Sequence, residues 1–106
     1  MPAFSVYSAT KAAVRSFARS WTTDLKERKI RVNVVSPGPI DTPILDGLGE
    51  TEAQRQGIRS QLTSMVPLGR MGRPEEIGNA AVFLASDDAS FVAGVELFVD
   101  GGTGQV

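Results

Sequence analysis

KIRVNVVSPGP, Lys29 to Pro39, is the stretch that decides the fold. Ile30, Val32, Val34 and Val35 are β-branched and apolar, and Ser36-Pro37-Gly38-Pro39 stops the run. Branched side chains lose rotamer freedom in a helix and pack well on a pleated surface, so residues 30–36 are predicted to form a strand. A short run this rich in β-branched residues further predicts burial on both faces, as in the parallel sheets of α/β proteins.

Upstream, no glycine or proline interrupts Val6 to Arg28, and Val14, Phe17, Ala18, Trp21 and Leu25 recur at helical spacing, which predicts one long amphipathic helix. Downstream, Pro39 to Gly49 reads as a loop and Thr51 to Ser64 as a polar, weakly amphipathic helix. Arg70 to Arg73 is a second loop. Pro74 suits a first helical position, and Glu75 and Glu76 complement the positive end of the helix dipole rather than act as catalysts. That helix runs to Ala85 with Ile77, Ala81 and Leu84 on one face. Asp87 to Ser90 is a turn, residues 95–99 a second strand, and Asp100-Gly101-Gly102 a structural turn that ends it. Strand, helices and strand make a βαβ crossover in an α/β fold. Two strands make a marginal sheet, so the inventory reads as the carboxyl-terminal part of a larger domain.

The composition narrows the function. Eleven basic and twelve acidic residues among 106 leave a net charge of -1, which offers no electrostatic footprint for nucleic acid and no polybasic membrane anchor. No apolar run approaches the ~20 residues that span a bilayer, and the first residues lack a signal-peptide pattern, so a soluble cytoplasmic protein is expected. The chain has no cysteine and no histidine. Disulfides, Cys/His zinc sites and triads with a Cys nucleophile or His base are thereby excluded, and no metal site is expected. Acid–base chemistry is left to Tyr, Lys, Asp or Glu.

Tyr7, the single tyrosine, stands one helical turn before Lys11. Around a helix advancing about 100° per residue, both continue the stripe of Val14, Ala18, Trp21 and Leu25. An ammonium on a core-facing stripe needs partners or water, which suggests a first turn that opens onto a cleft. A phenol titrating near ~10 relays protons poorly at neutral pH, and lowering that value by three units requires about 4 kcal/mol. One ammonium ~6 Å away at an effective dielectric of ~20 supplies about 3 kcal/mol. The plain alternative is a packed tyrosine beside a lysine stem lying along apolar surface. The pair alone leaves both readings open.

Tyr7-Ser8-Ala9-Thr10-Lys11, then Arg31-Val32-Asn33-Val34-Val35-Ser36-Pro37-Gly38-Pro39-Ile40-Asp41-Thr42, then Val99-Asp100-Gly101-Gly102 follow the order and spacing of motifs in a known family. With Gly72-Arg73-Pro74-Glu75-Glu76-Ile77, they make the chain resemble the short-chain dehydrogenase/reductases across nearly its whole length. The resemblance implies a Rossmann-like, doubly wound parallel sheet, of which residues 1–106 are a carboxyl-terminal portion in the order helix, strand, helices, strand, incomplete as a domain. It implies an NAD- or NADP-dependent oxidoreductase acting on a small-molecule alcohol/carbonyl pair, with Tyr7 as acid/base and Lys11 lowering its pKa while bonding the nicotinamide ribose. Pro37 and Gly38 would border the cofactor, Ile40 would meet the nicotinamide carboxamide through its backbone, and the Thr42 hydroxyl would lie nearby. Residues 39–68 correspond to a substrate lid whose Ile44, Leu45, Leu48, Met65 and Leu68 either line a pocket or simply pack. A homo-oligomer, dimer or tetramer, is also implied.

The family's glycine-rich turn, its catalytic serine and its catalytic asparagine belong upstream of these motifs. Ser5 and Ser8 stand too close to Tyr7 to fill the serine's role, and Asn33 follows the tyrosine. The 106 residues alone are therefore expected to be inactive. The alternative function is a non-catalytic oligomerisation module.

Overall fold

The computed structural model describes the backbone of residues 2–105 and the side chains of residues 9–104. Helix α1 spans Pro2–Asp24, and a 3-10 turn, Lys26–Arg28, follows it. Lys29 then takes a left-handed conformation, φ 55°, which closes the turn through its N–H on the Lys26 carbonyl. Strand β1 is Val34–Pro37, α2 is Glu52–Ser64, α3 is Pro74–Ala85 and β2 is Glu96–Val99. The two strands form a two-stranded sheet. Val34 N–H donates to Val95 O at 2.9 Å and Gly38 N–H to Val99 O at 3.1 Å. The partners advance together along both strands, so the pairing is parallel. The expected α/β class and βαβ connection are the observed ones.

The strand expected over residues 30–36 begins later than its apolar run suggested. Pairing starts at Val32, whose carbonyl accepts from Gly94 N–H at 2.8 Å, but Arg31 and Asn33 turn their side chains to backbone groups. Asn33 Nδ2 donates to Val92 O at 3.0 Å, and its Oδ1 accepts from Val95 N–H at 3.1 Å. A side-chain amide thus replaces a rung of the ladder. The second strand, expected over 95–99, starts one residue later. Burial of β1 on both faces is not observed: Val34, Val35 and Ser36 are half-buried and Pro37 is exposed.

The chain divides into two compact units. In the first, Met1–Val34 with Phe83–Leu97, the buried residues are small or few: Ala18, Leu84 and Ala89. Thr22 Oγ1 donates to Ala18 O at 2.8 Å, and Gly94 lies against that hydroxyl. Arg31 fastens the loop after α3 by donating to Leu84 O at 2.8 Å, Ser86 O at 3.1 Å and Val92 O at 3.2 Å. Of the described residues of the apolar stripe expected to be core, Ala18 is buried, 3% exposed, Leu25 is half-buried, and Val14 is exposed. Phe17 and Trp21 stack with centroids 5.3 Å apart and remain 53% and 49% exposed.

In the second unit, Val35–Val82 with Phe98–Val106, the loop after β1 contains a 3-10 segment, Pro43–Leu48. A capping box starts α2: Gln54 N–H donates to Thr51 Oγ1 at 3.1 Å and Thr51 N–H to Gln54 Oε1 at 3.2 Å. β1 ends against the turn that follows β2. A Cβ on Gly38 would stand 2.6 Å from Asp100 Cβ and 2.7 Å from Asp100 Cα. Neither atom can move without its strand. Replacing Gly38 by Ala is expected to destabilise the chain by about 1–3 kcal/mol, the usual cost of overpacking, measured as a lower urea midpoint at unchanged slope.

Candidate functional site

Pro37, Gly38, Ile40 and Thr42 occupy the end of β1 and the loop beyond it, within the second unit. Ile40 forms an isolated parallel bridge with Gly72. Its two bonds run from Gly72 N–H to Pro39 O and from Asp41 N–H to Gly72 O, both 2.9 Å. In a parallel bridge that pattern leaves the N–H and C=O of Ile40 itself unused by Gly72. Thr42 precedes the 3-10 segment in extended conformation, and its hydroxyl makes no capping bond there. The loop thus presents a donor, an acceptor and a hydroxyl within three residues.

Two ionic groups hold this region. The Arg59 guanidinium, from α2, bonds Asp41 through Nη1 and Asp46 through Nη2, the latter at 2.9 Å. These carboxylates, Asp41 first, raise the pKa of Arg59. Arg70 grips Glu76 with both terminal nitrogens, at 2.7 and 2.9 Å, and Arg73 N–H donates to the same carboxylate at 3.0 Å. Glu76 so closes the start of α3 and ties the preceding loop to it. The Arg70 guanidinium, with the Arg73 amide second, pulls its pKa down to about 2.

A cavity of about 430 Å³ in this unit is lined by Ile40, Val66, Leu68 and Phe98, with Arg70, Glu76 and Asp100 contributing charge. Of the apolar residues assigned to a lid, Leu68 lines this cavity. Met65 lines a second one, while Ile44 and Leu48 are exposed. The turn Asp100-Gly101-Gly102 is built by Asp100, whose Oδ1 accepts from Gly102 N–H and Oδ2 from Gly104 N–H, each at 2.9 Å.

Tyr7 and Lys11 both belong to α1, one turn apart along it. The Tyr7 side chain, and with it the expected phenol–ammonium contact, lies outside the described residues. Lys11 is exposed. Among the described residues no cluster of acidic side chains is arranged to hold a metal ion, and no helix is long and apolar enough to cross a membrane.

Arg59 and Arg70 carry no motif and were not expected at the site. The available signal for Arg59 was its spacing: Arg55 and Arg59 share one face of a helix that follows a loop bearing Asp41 and Asp46. For Arg70, a glutamate at the third helical position was visible, but its partner was not.

This geometry belongs to an α/β chain with an irregular loop at the carboxyl end of a parallel strand. The family model described as Enoyl-(Acyl carrier protein) reductase matches residues 1–104. The chain is 48% identical over 106 residues to the oxidoreductase asL5 of Sarocladium schorii, covering 99% of this chain and 40% of that protein. To the 3-oxoacyl-(acyl-carrier-protein) reductase FabG of Thermotoga maritima it is 42% identical over 101 residues, covering 95% and 39%. The structure of a C-terminal deletion mutant of Thermoplasma acidophilum aldohexose dehydrogenase superposes with TM-score 0.85 at 34% identity, over 96% of this chain and 46% of that one. The chain belongs to the short-chain dehydrogenase/reductase family of oxidoreductases. It spans 30–40% of the length of the curated relatives it matches.

The depressed pKa of Glu76 has a direct consequence for stability. Its ordinary value is 4.5 and its folded value about 2, so the unfolded chain takes up the proton first as pH falls. The stabilisation is complete above 4.5 and is lost as pH falls through that window towards 2. Urea midpoints measured from pH 5 down to pH 2 are expected to decline less steeply in Glu76→Gln than in the unsubstituted chain.

Proposed function

We propose that this chain carries the acid–base pair and the nicotinamide- and substrate-facing loops of an NAD(P)-dependent oxidoreductase acting on an alcohol/carbonyl pair. The observation that carries the reading is Tyr7 followed by Lys11 on one continuous helix, Pro2–Asp24, in a chain matched by the family over residues 1–104. The relatives' names support an alcohol/carbonyl pair without fixing its direction, since one is a reductase and another a dehydrogenase.

When bound, the nicotinamide supplies or accepts the hydride. Tyr7 gives its phenolic proton to the substrate oxygen as the carbonyl is reduced, and takes a proton from the hydroxyl in oxidation. Lys11 favours the phenolate by its charge and bonds the ribose. A carboxamide offers one acceptor and one donor group, which suits the N–H and C=O of Ile40 that the Gly72 bridge leaves unused. Gly38 and Pro37 border the same ligand, and the Thr42 hydroxyl lies within reach of its amide. The cavity beside Leu68 and Phe98 is a candidate for an apolar part of the substrate. The setting proposed is a cytoplasmic homo-oligomer, dimer or tetramer.

A second reading, assembly without catalysis, is favoured by the half-exposed Phe17–Trp21 stack. Titration with NADH and NADPH, of the chain alone and with a co-expressed amino-terminal half, followed by turnover measurements on the pair, separates the two. Tyr7→Phe is expected to lower kcat by about 10²–10⁴, the usual share of a general acid–base group, with cofactor affinity nearly unchanged. Turnover that survives Tyr7→Phe contradicts the acid–base role. A stable oligomer that ignores both cofactors supports assembly instead.

A further inference from the structure

Arg59 spans two acidic residues that flank the start of the lid. Asp41 stands between Ile40 and Thr42, and its N–H already serves the bridge to Gly72. Asp46 lies inside the 3-10 segment Pro43–Leu48. One guanidinium bonds both carboxylates, and Arg55, one turn earlier on α2, adds Nε to Asp46 O at 3.1 Å and to Gly49 O at 3.3 Å. A single face of α2 therefore holds the segment at its entrance, its middle and its exit.

An ordinary exposed ion pair contributes little. This arrangement differs because two like charges meet around one cation. Without it, Asp41 and Asp46 repel across the loop, and the bonds of Arg55 to Asp46 O and Gly49 O remain to tie the segment to α2. A planar fork serves two carboxylates at once, which a lysine point charge does not.

We propose that Arg59 is a positioning residue: its clamp on Asp41 and Asp46 fixes the substrate-side segment 42–49 to the loop that carries Ile40 and Thr42. The functional consequence rests on the oxidoreductase reading above, whereas the clamp itself does not. Arg59 touches neither substrate nor cofactor. It acts through the two aspartates, so its loss loosens the segment that closes over the substrate while leaving the acid–base pair intact.

Amide exchange of the full chain, followed by mass spectrometry, tests the clamp without any ligand. Arg59→Met is expected to speed exchange of residues 42–49 about tenfold, with β1 and β2 unchanged. Arg59→Lys recovers less than half of the lost protection, and 1 M salt acts on the unsubstituted chain in the same direction by screening the exposed pairs. Unaltered exchange in Arg59→Met, or equally faster exchange in both strands, overturns the clamp. In an NAD(P)-linked assay the same substitution is expected to raise substrate KM about tenfold while kcat changes less than about threefold. A KM that does not move overturns the positioning role even where exchange rises. That assay uses the chain joined to an upstream portion carrying the family's glycine-rich turn, serine and asparagine; if the joined protein shows no turnover, the oxidoreductase reading fails, and the exchange result still decides the clamp.

Discussion

The passage of Gly38 against Asp100 constrains everything around it. The two backbones lie so close that even a methyl group at residue 38 would overlap Asp100. β2 ends in a turn that Asp100 ties with its own carboxylate, and its carbonyl accepts in addition from Thr103 N–H and Oγ1. Those bonds tie the turn, and β1 is registered beside it by Gly38 N–H on Val99 O. The point where the chain leaves β1 is therefore set, and with it the height at which Ile40 meets Gly72 and Asp41 meets Arg59. The candidate site inherits its position from a steric contact at one glycine.

Apolar burial does comparatively little of this ordering. Val66 in one unit and Ala18, Leu84 and Ala89 in the other are the buried apolar residues among those described. Polar side chains bonded to backbone take up the work. Arg31 satisfies three carbonyls, Asn33 stands in for a strand rung, Thr51 and Gln54 close the start of α2, and Glu76 closes that of α3. Such bonds are directional, so they fix loops in a way that a small apolar contact does not.

The starts of α2 and α3 were legible from local chemistry, Thr51 before a polar helix and Pro74-Glu75-Glu76, whereas the long helix expected from Val6 to Arg28 begins earlier, at Pro2, and gives way after Asp24 to a 3-10 turn. The boundary of β1 was not legible. Its apolar pattern begins at Ile30, whereas the ladder is delayed by what the Arg31 and Asn33 side chains do with groups 53 to 62 residues away. The same holds at the site. Tyr7 and Lys11, or Pro37 through Thr42, are short local motifs that a reader can find. The Arg59 clamp joins residues 18 and 13 positions apart across an irregular loop, and nothing periodic announces it. Contacts fixed by loop geometry leave no trace in a hydrophobic pattern.

The proposed function turns on the electrostatic help that Lys11 is proposed to give Tyr7. Its most direct test is the pH dependence of kcat/KM for alcohol oxidation by the chain paired with an amino-terminal half, with and without the Lys11→Met substitution. An ammonium beside the phenol is expected to place the activity midpoint below the ordinary phenol range, and its removal to move that midpoint up by about two pH units. Identical midpoints in the two proteins would contradict the claim.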